Sequence, residues 1–149
     1  MRRLPAAVGE GLAAGAVGTA AMTVSSTLEM HLRGREPSTV PARAAAKLLG
    51  VEPVGEAERR RFATLVHWGY GIGWGGVRGV IGALGLRGTP AAALFLAAVW
   101  GAELATLPRL DIGVPPVSQW GRVEMAIDAL HHAVYAIGTS VAYERLAEV

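Results

Sequence analysis

Seven side chains in this sequence could do chemistry together: Glu29, His67, Glu103, Asp128, His131, His132 and Tyr135. Imidazole beside carboxylate exchanges protons near neutrality, and the same pair suits zinc, iron or manganese. Asp128, then His131 or His132, then Tyr135 recur at i, i+3 or i+4, and i+7, which puts them on one stripe of a helix. For a metal the candidate ligands are His67, Glu103, Asp128 and His131. A di-iron bundle uses two Glu-x-x-His motifs, whereas this chain has a single Asp128-x-x-His131, and a bis-histidine haem requires His67 opposite His131 or His132. Haem or a divalent metal therefore stands as one alternative, a proton-responsive site as another, and a structural polar layer that pins helix register as a third. Thiol chemistry is excluded because the chain has no cysteine. Ser25, Ser26, Ser118 and Ser140 lack a G-x-S-x-G setting, so the expectation is a protein that is not an enzyme.

The elements that must position these groups follow from composition. Of the 149 residues, 52% are apolar and only 17% are charged, below the roughly 25% charged of an average soluble domain. Four apolar runs, at 11–32, 63–84, 90–107 and 126–143, are long enough to cross a bilayer as helices. Runs of this length exclude the ten-residue alternation of a barrel, and hydrocarbon demands that each backbone amide be satisfied within its own segment. The expected fold is an all-α, four-helix transmembrane bundle occupying 1–149, multi-pass with lipid around it. The arginines flank apolar runs and line no solvated face, which argues against nucleic acid. Arg2 and Arg3 before the first run resemble a signal peptide, but that run is too long and ends in Glu29 and His31, so it is read as a retained span.

Within the first loop, 41–49 reads as a short amphipathic helix lying on the membrane surface. Pro41 sits in its first turn, Gly50 is placed to end it, and Ala44, Leu48 and Val51 share a face away from Arg43 and Lys47. The next helix is expected to open at Glu56 and Glu58 and to run through Arg59, Arg60 and Arg61 into the second span. Counted from the spans, the terminal side carries Arg2, Arg3, Arg87 and Arg145, and the other side carries Arg33, Arg35, Arg43, Lys47, Arg59, Arg60, Arg61, Arg109 and Arg122. This asymmetry favours cytoplasmic first and third loops, while Arg2 and Arg3, preceding the first helix, argue for the reverse. By helical rise His67 lies about 9 Å beyond Arg61, and Glu103 about 6 Å before the end of its span. All four spans thus bring an ionisable group to one depth near the long first loop. Stripes facing protein would gather them under the 41–49 helix and the Pro115-Pro116 loop.

Gly71, Gly75 and Gly79 form a double G-x-x-x-G stripe on the second span, with Gly11 and Gly15 as a matching stripe on the first. The stripe serves helix packing within one chain, or a homo-oligomer contact. His67-Trp-Gly-Tyr-Gly71, the Leu107-Pro108-x-Leu110-x-x-Gly113-x-Pro115-Pro116-x-x-x-Trp120-x-x-x-Glu124 segment, His131 with Tyr135, and Tyr143-Glu144-Arg145 resemble the second half of the YagU-like family of bacterial inner-membrane proteins. The likeness covers about the last 85 residues, and the first loop here is shorter and lacks that family's cysteines. The resemblance implies inner-membrane placement, an association with acid tolerance and a polar site, and no reaction. The expected function is a polar cluster that senses or conducts protons or a small polar solute. The alternatives are a metal- or haem-binding membrane protein, and a scaffold or accessory subunit of a membrane complex.

Overall fold

The computed structural model describes residues 3–148; Met1, Arg2 of the charge count and Val149 lie outside the described residues. The described chain is helical throughout. Its elements are α1 (Leu4–Arg33), α2 (Val40–Leu49), α3 (Glu56–Ala83), α4 (Gly88–Thr106) and α5 (Arg122–Ala147), with 3-10 turns at Leu107–Arg109 and Val117–Gln119. The four apolar runs fall on the four long helices. Two segments, Leu4–Arg33 and Gly88–Arg109, are long and apolar enough to cross a membrane. α3 and α5 are as long, but α3 is diluted by glycine and by its charged first turns, and α5 by Asp128, His131 and His132.

Local signals set the helix ends. Pro5 and Pro41 lie in the first turns of α1 and α2, where a missing amide hydrogen costs nothing. Gly34 and Gly50 follow the two helices in the left-handed conformation, and each returns an amide hydrogen to the carbonyl four residues back. Glu56 and Glu58 occupy the first turn of α3, where the helix dipole favours acidic groups.

α1 lies between α3 and α5 and packs most extensively against these two. The α1–α3 contact is antiparallel and almost free of side chains. A Cβ on Gly75 would collide with the Gly11 carbonyl oxygen and stand 2.6 Å from Gly15 Cα, and one on Gly15 would stand 2.9 Å from the Gly71 carbonyl oxygen. A Cβ on Gly79 would collide with the carbonyl of Ala7. The structure thus puts the whole Gly71, Gly75 and Gly79 stripe against α1 of the same chain. α4 packs on α5, and Ile81, Ala91, Phe95, Val99, Tyr135 and Ala136 form an apolar cluster among α3, α4 and α5.

Polarity is distributed in the reverse of a water-soluble helical protein. Arg78, Thr19, His131, His132, Thr139 and Ser140 are buried, whereas large apolar side chains on each long helix face outward, Val24 at 70% exposure and Ile137 at 58% among them.

Glycine packing supplies a stability test. Gly75→Ala should destabilise the protein by about 1 to 3 kcal/mol through forced separation of α1 and α3. Gly73→Ala, at a site with nothing within 4 Å of a new Cβ, should be neutral or stabilising by up to about 1 kcal/mol. Thermal unfolding in detergent distinguishes the two.

Candidate functional site

Every one of the seven sequence-predicted groups has a partner, but they do not form one cluster. Adjacent positions on a helix are turned about 100° apart, so His131 and His132 address different neighbours. His132, one turn after Asp128, faces α4: its Nε2 lies 2.7 Å from Glu103 Oε2, and its Nδ1 lies 2.9 Å from the Asp128 carbonyl oxygen and 3.6 Å from Asp128 Oδ1. Trp100 Nε1–H donates to Asp128 Oδ2 at 2.7 Å, fixing that carboxylate. His131 faces α1, with Nδ1 2.9 Å from Ser25 Oγ and Nε2 3.8 Å from Glu29 Oε2.

Glu29 is held mainly from the other side. Arg35 reaches it at 2.5 Å and Arg33 at 3.1 Å, and Arg33 also bonds Glu124 at 2.6 Å, which ties the end of α1 to the start of α5. The Arg33 guanidinium holds the Glu124 carboxyl below the ordinary carboxylate range, and this exposed tie is therefore released only in acid, as pH falls through that depressed value. His67 lies apart from Glu103 and Asp128, bonded through Nε2 to Thr23 Oγ1 at 2.8 Å. Because Thr23 donates its own hydroxyl proton to the Thr19 carbonyl at 2.7 Å, it is His67 Nε2–H that donates to Thr23. Tyr135 donates to the Gly71 carbonyl at 2.6 Å, across the glycine-lined crossing.

The His132 contacts dictate where a proton must be. Nδ1 touches a carbonyl oxygen, which can only accept, so Nδ1 carries hydrogen. Nε2 at 2.7 Å from a carboxylate oxygen then requires a second proton on that line, held either by imidazolium or by the carboxyl group. A short histidine–carboxylate bond with a shared proton is thus built into the interior, and Asp128 stands behind the imidazole as a second negative group.

This pair forms part of the wall of a cavity of about 210 Å³. α2 covers it with Pro41, Ala44, Ala45 and Leu48, and His67, Tyr70 and Trp74 of α3 line another side. Val51 of the expected α2 face is exposed and lies outside the lining, as do Pro115 and Pro116. Leu107 and Leu110 close the cavity in place of the two prolines. The loop that carries the prolines is tied to α2 by Arg43, which donates to the Ile112 carbonyl at 2.7 Å.

For a metal, Glu103, Asp128 and His132 each offer one ligand atom within 4.8 Å of the others. His67 and His131 of the sequence-stated ligand set are engaged with Thr23 and Ser25 instead. The cavity volume of about 210 Å³ suits a small ion or a molecule of about one substituted ring.

A second polar layer, at the other end of the helices, centres on Arg78. Its side chain is fully buried, ion-paired to Glu144 at 3.0 Å, bonded to Ser140 Oγ at 3.1 Å, and stacked 4.5 Å over the Tyr143 ring. Glu144 also accepts from the Gly88 amide at 2.6 Å. In the sequence the 66-residue separation of Arg78 and Glu144 hides this contact between α3 and α5. Ser25, Thr23 and Trp100 were missed for the same reason, since hydroxyl and indole groups are common in apolar helices and carry no spacing signal. Compared with protein-family models, with curated proteins and with solved structures, the chain matches none.

The ion pair predicts an asymmetry. Glu144→Gln leaves a buried guanidinium without its counter-charge and should destabilise by about 3 kcal/mol. Arg78→Met leaves a half-exposed carboxylate that keeps the Gly88 amide, and should cost markedly less. Thermal unfolding of the two variants and of the double variant measures the difference.

Proposed function

We propose that the chain is a four-span helical bundle of the bacterial inner membrane in which the His132–Glu103 pair takes up and releases a proton beside the cavity under α2, so that it acts as a proton-responsive membrane protein and not as an enzyme. The observation that carries this reading is the 2.7 Å Nε2–Oε2 contact of an imidazole whose other nitrogen is already committed to a carbonyl. Membrane placement is supported by the outward apolar side chains of α3 and α5 as well as of α1 and α4. The resemblance to the YagU-like family and its association with acid tolerance points the same way.

Sensing is favoured over conduction. Between the His132 layer and the Arg78 layer, Phe95 and Val99 of α4 pack against Tyr135 and Ala136 of α5, so the interior there is mainly apolar. A change of charge at His132 or Glu103 has a mechanical outlet instead, because α2 lies over the same cavity and Arg43 links it to the third loop.

A second reading rests on the Glu103, Asp128 and His132 triad, where a divalent ion would take the place of the shared proton. Nitrogen-15 NMR of labelled histidine in lipid nanodiscs, without added ligand, separates the possibilities. Followed from pH 5 to 8, the His132 signal should respond to pH, and that response should be displaced by about one pH unit or more in Glu103→Gln. A His132 signal that stays fixed across this range, or that titrates identically in Glu103→Gln, would contradict the proposal. Stoichiometric zinc or manganese retained through purification and lost in His132→Gln would assign the triad to a metal instead.

A further inference from the structure

Resting on the proton-responsive reading above, we propose that the cavity binds a small organic cation, an ammonium group carried on a compact apolar body, and that this cation and a proton compete for the negative charge at Glu103.

Size sets the first limit. The volume of about 210 Å³ exceeds the roughly 150 Å³ engineered apolar cavity that accepts benzene, so one substituted ring or a quaternary ammonium with a short arm fits. Surface chemistry sets the second. The lining is apolar on α2 and at Leu107 and Leu110, and aromatic on α3 and α5 through Tyr70, Trp74 and Tyr135. Tyr70 and Trp74 meet edge to face, with ring centroids 6.1 Å apart. Aromatic faces attract a cation that has shed its water, and quaternary ammonium groups are recognised in this way.

Charge decides the sign of the ligand. Glu103 is the carboxylate in the lining, and neither lysine nor arginine contributes to it. The titratable groups around it can be taken helix by helix. From α5 come His132 on Glu103 and Asp128 behind it, while His131 is turned toward Ser25 and Glu29. From α1, Glu29 is neutralised by Arg33 and Arg35. From α3, His67 is bonded to Thr23 and Tyr70 lines the cavity. From α2, Arg43 is spent on the Ile112 carbonyl and Lys47 lies outside the lining; Arg109 turns back to the Ala105 carbonyl. With one proton between His132 and Glu103, two carboxylates face one imidazolium, a deficit of one positive charge in a low-dielectric site. A second proton fills that deficit in acid, and an organic cation fills it near neutrality. An anion would deepen it.

The test uses the full chain in nanodiscs of neutral phosphatidylcholine, titrated calorimetrically with choline and, separately, with its uncharged carbon isostere 3,3-dimethyl-1-butanol. One choline should bind per chain, at least tenfold more tightly than the isostere. Its affinity should fall toward tenfold per pH unit on acidification, with up to one proton released per choline, read from buffers of different ionisation heat. Glu103→Gln should weaken choline at least tenfold and leave the isostere unchanged. Tyr70→Leu, at a position 53% exposed and thus tolerant of change, should weaken choline about threefold to tenfold and keeps the test decisive if Glu103→Gln does not fold. Absence of choline binding, equal binding of the isostere, or choline affinity indifferent to pH and to both substitutions would each overturn the proposal. Because the ligand-free His132 titration is measured separately, a titrating His132 with no choline binding overturns the cation site alone.

Discussion

Everything in this molecule depends on satisfying polar groups inside a body whose outer surface is apolar. In a water-soluble helical protein, Arg78, His131 and His132 would reach solvent and Val24 and Ile137 would be buried; here the placement is reversed. The proposed membrane placement would make the reversal stable, because an inward polar group that finds a partner escapes the several kcal/mol that hydrocarbon exacts. Five inward groups accordingly have partners on another helix: His132 with Glu103, His131 with Ser25, His67 with Thr23, Tyr135 with the Gly71 carbonyl, Arg78 with Glu144. These contacts bind α1 to α3 and α5, and α5 to α4, and leave a cavity beneath α2.

The glycine crossing determines how close those partners come. With Gly11 and Gly15 against Gly71, Gly75 and Gly79, the backbones of α1 and α3 approach until main chain meets main chain. That approach brings Thr19 beside Gly71 and Thr23 within 2.8 Å of His67. It also leaves the Gly71 carbonyl open to Tyr135 from α5. A bulkier crossing would widen all three contacts together, so helix packing and polar satisfaction are one constraint seen at two depths.

Much of this architecture is legible in the sequence because it rests on periodic signals. Apolar runs mark the four long helices, Gly50 and Pro41 mark α2, and the i, i+4 glycines mark the crossing. Pairings are less legible. Spacing places Asp128, His131, His132 and Tyr135 on one stripe, but a stripe is wide enough to face two neighbours, and the 100° between His131 and His132 sends one to α1 and the other to α4. The single expected cluster therefore resolves into four sets of contacts around one cavity, with His132 rather than His67 or His131 forming the triad with Glu103 and Asp128. The partners Ser25, Thr23, Trp100 and Ser140 are ordinary residues whose role exists only in three dimensions. The apolar cluster of Ile81, Phe95 and Val99 is equally invisible in one dimension, since these read as any span residues do.

All four long helices crossing the bilayer is the premise on which the buried proton and the cavity both rest, and the natural absence of cysteine makes it directly measurable. Single cysteines placed at Glu52, Leu86, Ser118 and Glu148, all exposed and each in a connection or at the chain end, can be labelled with a membrane-impermeant maleimide in intact and in permeabilised cells. Four crossings predict that Glu52→Cys and Ser118→Cys label from one side and Leu86→Cys and Glu148→Cys from the other. Labelling of all four from the same side, or of Glu52→Cys together with Leu86→Cys, would contradict it.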